Sequence, residues 1–145
     1  MNREQERAIE WDCTKVLNQF YVLADQGDFE KAANLFTEDS VWNLNGNELH
    51  GRAAIEEGLR SGFTPVFIKH FIQNIVVEVI DEDHADAVGY AQVYRHEKSD
   101  LTDGATPSVP SVGPWSIGRQ DNKMVRTSEG WKVARRDIGS FLRRA

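Results

Sequence analysis

The 145-residue sequence has a single cysteine and no long apolar segment. Cys13 therefore cannot form an internal disulfide, and no CxxC or HxxxH spacing supplies the usual zinc ligands. No apolar stretch approaches the ~20 residues that a membrane helix needs. The opening run, MNREQER, is polar, unlike a secretory signal. These absences predict a cytoplasmic protein without a disulfide framework, a bound metal or a membrane span.

An excess of basic residues is also missing. The chain has 17 Lys and Arg against 23 Asp and Glu, which gives a formal net charge of -6. This balance argues against nucleic acid and anionic membranes as partners, because both require a basic surface. The exception is a basic cluster of Arg135, Arg136, Arg143 and Arg144. Because Asp137 interrupts it, we predict a solvated face or the edge of an interface.

Apolar spacing and turn residues predict three helices and a hairpin in the first half of the chain. The helices are expected over residues 3–25, 28–36 and 52–62. Asn45-Gly46 between two β-type runs indicates the hairpin, since both residues tolerate positive φ. Cys13 falls on the apolar face of the first helix and no base accompanies it, so it is interpreted as a buried structural thiol.

The second half predicts four long strands. Their segments are HFIQNIVVEVI from His70 onward, ADAVGYAQVYRHE, WSIGRQDNKMVRT and WKVARRDIGSF. Residues 99–114 form a loop of a length that is usually functional or mobile. Successive strands with short turns imply antiparallel pairing, so we predict one α+β domain over residues 1–145. A sheet this long must curve, and helices on its concave face would leave a pocket for a small ligand.

Two polar side chains in the first helix and one histidine are candidate site residues. Tyr21 and Asp25 are four residues apart and share a helix face, although Asp25 could simply end the helix. His70 lies between Phe67 and Phe71 in an apolar setting that suits either a core histidine or an acid–base catalyst.

The last strands supply further candidates through their alternation. Because charged side chains usually face water, the alternation places Arg119, Asp121 and Lys123 outside. It places Gln120, Asn122 and Met124 inside, where amides could orient a ligand or bond across the sheet. Tyr94 and His96 share one face of the preceding strand.

Four segments of the chain resemble the SnoaL-like branch of the nuclear-transport-factor-two-like superfamily. They are YVLADQGDFEKAANLFTEDSVW, HGRAAI, KHFIQNIVVEV and RTSEGWKV, and the resemblance extends over nearly the whole chain. Scytalone dehydratases and hexachlorocyclohexane dehydrochlorinases are the catalytic members most similar in pattern. The resemblance implies a cone-shaped, mostly antiparallel, cystatin-like sheet enclosing one pocket with three N-terminal helices. It also implies a homo-oligomer built on the outer face of the sheet, with a trimer favoured over a dimer.

The resemblance assigns roles to individual positions. His70 matches the catalytic base and Asp25 the carboxylate that orients it. Asn122 and Gln120 match polar residues on the penultimate strand that contact the substrate. His96 lies near the position of a second catalytic histidine and is a candidate substrate contact, although an offset of one residue would turn it to the other face. A tyrosine that precedes the aspartate in the dehydratases is absent here, and Tyr21 could occupy the same space.

The implied activity is a cofactor-independent elimination on a small aromatic or polyketide-like substrate. His70 would remove a proton, Asp25 would fix its tautomer, and Tyr21, Tyr94, Gln120 or Asn122 would hold an oxygen or leaving group. Trp42, Phe67 and Phe71 could form an apolar wall, and residues 99–114 could cover the mouth. Two alternatives remain: a polyketide cyclase or steroid-type isomerase using the same dyad, and a non-catalytic ligand-binding protein similar to dioxygenase small subunits. The fold alone does not choose among them.

Overall fold

The first helix begins at a capping box and carries one apolar stripe. The computed structural model describes residues 1–104, 108–109 and 113–145. The Asn2 side chain accepts hydrogen bonds from the backbone N–H groups of Glu4 and Gln5, and the Gln5 side chain accepts from the Asn2 N–H. Helix α1 then runs over Arg3–Asp25, as predicted. Its inward stripe includes Cys13, Leu17 and Phe20, all fully buried.

Two shorter helices and six strands follow. The helices are α2 (Phe29–Ala33) and α3 (Arg52–Phe63). The strands are β1 (Phe36–Leu44), β2 (Asn47–His50), β3 (Val66–Val79), β4 (His84–Glu97), β5 (Ser116–Thr127) and β6 (Gly130–Arg143). A 3-10 turn at Lys98–Asp100 follows β4. Asn45 and Gly46 form the predicted β1–β2 turn, with φ of 51° and 93°.

The strands form one curved, open sheet in the order β2-β1-β6-β5-β4-β3. Strands β1 and β6 are parallel, whereas the other neighbours are antiparallel. The helices pack on one side, so each strand presents an inner face to the helices and an outer face away from them. This mixed α+β arrangement confirms the predicted fold class.

Two predicted boundaries were wrong. The second helix ends at Ala33 instead of residue 36, because the Leu35 carbonyl already accepts a hydrogen bond from the Val133 N–H and draws the chain into the sheet. Strand β3 begins at Val66, so His70 lies inside the strand, where the residues before and after it pair with β4 and fix its direction.

The core lies between the inner face of the sheet and α1. Its buried residues include Phe20, Phe36, Leu59, Met124 and Val133. Within the described part of the chain, no helix combines the length and apolar character needed to cross a membrane.

Candidate active-site pocket

The end of α1 and the middle of β3 bring Asp25 and His70 into contact. Asp25 Oδ1 lies 2.7 Å from His70 Nδ1, and the backbone N–H of His70 donates to Asp25 Oδ2 at 2.6 Å. The side chains of His70 and Asp25 are only 8% and 10% exposed. One carboxylate therefore binds both the ring and the backbone of the same residue, which fixes the position of the ring.

Two aromatic rings hold the imidazole between them. The Tyr21 ring lies 4.8 Å from the His70 ring at an interplanar angle of 23°. The Phe63 ring, from the end of α3, lies 5.2 Å away at 17°. Tyr21 is one helical turn before Asp25, so a single helix face supplies both contacts. The sequence did not indicate Phe63, because its approach to His70 depends on how α3 packs.

The hydrogen bonds define which nitrogen of His70 is available. An ionised carboxylate can only accept, so neutral His70 carries its proton on Nδ1. Nε2 then presents a lone pair, and none of the described residues hydrogen-bonds to it. Since His70 lines a cavity, this arrangement suits proton abstraction from a bound molecule.

The cavity next to His70 has a volume of about 170 Å³ and a mainly apolar wall. The helices contribute Tyr21 and Phe63. The strands and the segment before β5 contribute Trp42, Leu44, Asn45, Ile68, His70, Ala91, Val93, Trp115, Ser116, Gly118, Ile138, Ser140 and Arg143. A cavity of about 150 Å³ accommodates benzene, so this space suits one substituted ring.

A polar pair lies beneath the cavity. The Tyr21 hydroxyl donates to Gln120 Oε1 at 3.1 Å, whereas Gln120 Nε2 is buried without a partner among the described residues. Burial raises the pKa of Tyr21, an effect that the nearby Arg136 cation partly opposes. Tyr21 therefore remains a neutral hydroxyl that could turn toward a ligand.

Arg136 is buried beneath the same floor, and its predicted solvated position was wrong. It is 0% exposed, and its Nε donates to Asn122 Oδ1 at 2.7 Å. Neither Nη atom has a partner among the described residues. Its guanidinium carbon lies 4.4, 5.0, 5.6 and 5.6 Å from four ring centres, those of Phe20, Phe36, Trp42 and Tyr21.

The burial of Arg136 follows from its register. It lies opposite Asn122 on β5 and Trp42 on β1, both of which point to the inner face. Burial lowers its pKa, yet an arginine starts so high that it keeps its charge. A positive charge thus lies under the cavity with no acidic partner among the described residues.

The three side chains predicted to point inward from β5 do so. Gln120, Asn122 and Met124 are buried, and Arg119, Asp121 and Lys123 alternate outward. None of the inward three lines the cavity. Asn122 binds Arg136 and the Ala87 carbonyl, and Met124 packs in the core. We therefore assign them to support of the cavity floor.

Phe67, Phe71, Tyr94 and His96 lie on the opposite face of the sheet from His70, so their predicted place at the pocket was wrong. His70 pairs with Val93, and the neighbouring positions alternate to the other face. Phe67 pairs with His96, and the Tyr94 ring packs edge-on against Phe71 at 5.7 Å. The aromatic residues around His70 therefore lie on both faces of the sheet, whereas we predicted all of them at the pocket.

The mouth of the cavity carries Trp115 and two arginines. The guanidinium carbons of Arg143 and Arg95 lie 4.9 and 5.5 Å from the centre of the Trp115 ring. Of the loop predicted to cover the mouth, residues 105–107 and 110–112 lie outside the described residues. In its described part, Thr102 and Ser108 bond to each other, with the Thr102 N–H donating to the Ser108 carbonyl at 2.8 Å.

This combination of a curved sheet, an apolar cavity and a buried His–Asp pair defines an α+β protein with a pocket for a small molecule. The SnoaL-like domain family matches residues 5–137. The chain belongs to that family. Comparison with the curated proteins found no match.

Solved structures share the fold across nearly the whole chain. One is a protein from Novosphingobium aromaticivorans, provisionally assigned as a scytalone dehydratase, with a TM-score of 0.79, 18% identity and coverage of 97% of this chain and 89% of the other. Another from that organism is a nuclear-transport-factor-two-like protein with a cystatin-like fold, with a TM-score of 0.74, 24% identity and coverage of 95% and 86%. A third, from Catenulispora acidiphila, is in complex with S-DNPA, with a TM-score of 0.70, 19% identity and coverage of 92% and 94%.

Proposed function

We propose that the protein is a cofactor-independent lyase that eliminates a small group from an aromatic or polyketide-like molecule. The observation that carries this proposal is the buried contact of 2.7 Å between Asp25 Oδ1 and His70 Nδ1, beside a cavity of ring size. A neutral imidazole with a fixed tautomer is a suitable general base near neutral pH.

The proton and electron pair can be followed through the step. His70 Nε2 takes the proton from an acidic carbon, and the C–H electron pair forms the new double bond as the leaving group departs from the adjacent carbon. Asp25 stabilises the resulting imidazolium, which later returns its proton to the leaving oxygen or to solvent. The reaction balances without an oxidant or a reductant.

The floor supplies stabilisation for negative charge. As the proton leaves, charge accumulates on a carbonyl or ring oxygen of the substrate. The Tyr21 hydroxyl can donate to that oxygen by leaving Gln120 Oε1, which lies 3.1 Å away. The buried Arg136 cation adds a favourable potential from below, because charges interact strongly where water is excluded.

The comparisons support a small-molecule role. A neighbour of the same fold is in complex with S-DNPA, and another is provisionally assigned as a dehydratase. They do not identify the reaction, so the choice of elimination is argued from the Asp25–His70 contact and its cavity. Isomerisation would use the same groups, because His70 could return the proton to a second carbon.

The test is a product analysis. The substrates are β-hydroxyketones and halogenated cyclic compounds that contain one or two rings. Elimination creates a conjugated double bond that ultraviolet absorbance detects, and mass spectrometry identifies the lost group. We expect His70→Ala to lower kcat by about a hundredfold or more.

The chain provides a matched control for that variant. His84 and Asp81 form an exposed pair, with Nδ1 and Oδ1 2.9 Å apart, so His84→Ala should retain full activity. Full activity in His70→Ala would contradict the proposal. Products of unchanged mass would reassign the protein to isomerisation or cyclisation.

A further inference from the structure

Arg143 is a cation at the cavity mouth without an acidic partner among the described residues. It lines the cavity, and its side chain forms no salt bridge with the described residues. The six remaining residues of the chain have no carboxylate side chain: Ala105, Thr106, Pro107, Pro110, Ser111 and Val112. Other exposed arginines of the sheet behave differently: Arg119 pairs with Asp121 and Arg135 with Asp137.

The neighbourhood of Arg143 is locally positive. Arg95 lies against the same Trp115 ring and has only a loose contact of 3.6 Å with Glu97. Arg144 follows in sequence, and its Nη2 donates to the carbonyls of Gly113 and Pro114. In a chain with a formal net charge of -6, such a local cluster attracts small anions to the mouth.

Arg143 and His70 stand at opposite ends of one row across the inner face. The row runs from His70 to Val93, Ser116 and Arg143 on four adjacent strands. Three strand spacings separate its ends by about 14 Å at the backbone. A ring lying between the two side chains would present one edge to each of them.

We propose that the cavity takes a carboxylate-bearing ring compound, with the carboxylate held by Arg143 at the mouth and the ring directed toward His70. The planar guanidinium matches a carboxylate in a two-point geometry. The stacked Trp115 ring restrains the arginine, so less side-chain entropy is lost on binding. This subsite deepens the proposed function by naming a substrate class, and it rests on that function only for its choice of cavity.

The experiment compares binding of two probes of nearly equal shape, benzoate and benzamide, by calorimetry at pH 7.5 and low salt. We expect benzoate to bind at least about tenfold more tightly. Hydrogen bonds to charged groups are stronger than neutral ones, and the difference in free energy corresponds to about this ratio of affinities. Arg143→Gln should abolish that preference, and Arg143→Lys should restore only part of it. Arg119→Gln, which removes the same charge from the outer face, should retain the preference.

Each other outcome overturns the proposal. Equal binding of the two probes in the wild type, no binding of either at millimolar concentration, or an equal loss in Arg143→Gln and Arg119→Gln would do so. His70→Ala should keep the preference for benzoate over benzamide, because that preference depends on the charge of Arg143 and not on the base. The subsite can therefore fail while elimination succeeds, and the converse also holds.

Discussion

His70 illustrates how much of a site can be read from single residues. Composition and spacing left its role open, and only the family resemblance predicted that it meets Asp25; the structure places the two in contact. The Tyr21 and Phe63 rings on either side add a restraint that no local pattern displays. Arg136 was predicted to be solvated because its neighbours in the chain are charged, whereas its partners come from α1 and β5.

Tyr21→Phe tests the polar floor. The substitution leaves Gln120 Oε1 buried without its donor, so we expect a loss of about 1–3 kcal/mol in the free energy of unfolding. Urea denaturation measures this loss. Tyr94→Phe is the control, because its hydroxyl has only a contact of 3.5 Å with Gln92 on the outer face. A difference below about 0.5 kcal/mol between the two variants would show that the Tyr21 bond is energetically unimportant.

Cys13 gives a prediction about reactivity. Burial is the main cause that raises the pKa of its thiol, to about 12. Since the thiolate is the reactive form, the native protein at pH 8 should react with a disulfide reagent far more slowly than the urea-unfolded chain. The absorbance of the released thiolate follows the reaction. Equal rates in both states would contradict the buried position of Cys13 in α1.

At the scale of elements, the predictions were correct where neighbouring residues in the chain determine the backbone conformation. The extent of α1 and the Asn45-Gly46 turn were predicted correctly because they depend on nearby residues. The early end of α2 was not, since the pairing of Leu35 with Val133 is a tertiary contact that overrides helix propensity. The outward placement of Tyr94 and His96 required the strand register, which only the paired strand supplies.

Two glycine substitutions should have opposite effects. Gly46 has a φ of 93° in the hairpin, so Gly46→Ala should lower the free energy of unfolding by about 1 kcal/mol. Gly62 lies within α3 with open space around an added Cβ, so Gly62→Ala should raise it by about 0.5 kcal/mol. Thermal and urea denaturation of both variants provide the measurement. The same sign for both would contradict the assigned backbone conformations.

At the scale of the whole molecule, the outer face of the sheet is the feature without a role in the cavity. It exposes large apolar side chains from three strands: Phe71, Val76, Tyr90, Phe141 and Leu142. The Tyr90 and Phe141 rings pack edge-on across the sheet with their centres 5.7 Å apart. Exposed apolar patches of this kind are typical of interaction surfaces. We therefore expect this face to join copies of the chain.

Light scattering after size exclusion tests that expectation. The predicted trimer has a mass of about three times 16.5 kDa. Phe141→Glu should shift the mass toward one chain, because it places a charge within the apolar face. Trp11→Glu is the control, since Trp11 is 70% exposed on α1, away from the sheet's outer face. A wild-type protein of single-chain mass would refute the assembly.

The central claim is that Asp25 fixes His70 as a base, and the tautomer of His70 tests it most directly. Nitrogen NMR of the imidazole distinguishes a proton on Nδ1 from one on Nε2. In the neutral imidazole of the wild type, we predict the proton on Nδ1. In Asp25→Asn, one amide oxygen replaces two acceptors, and the amide N–H can donate to Nδ1. The proton should then move to Nε2. A wild-type proton on Nε2, or the same tautomer in both proteins, would contradict the account.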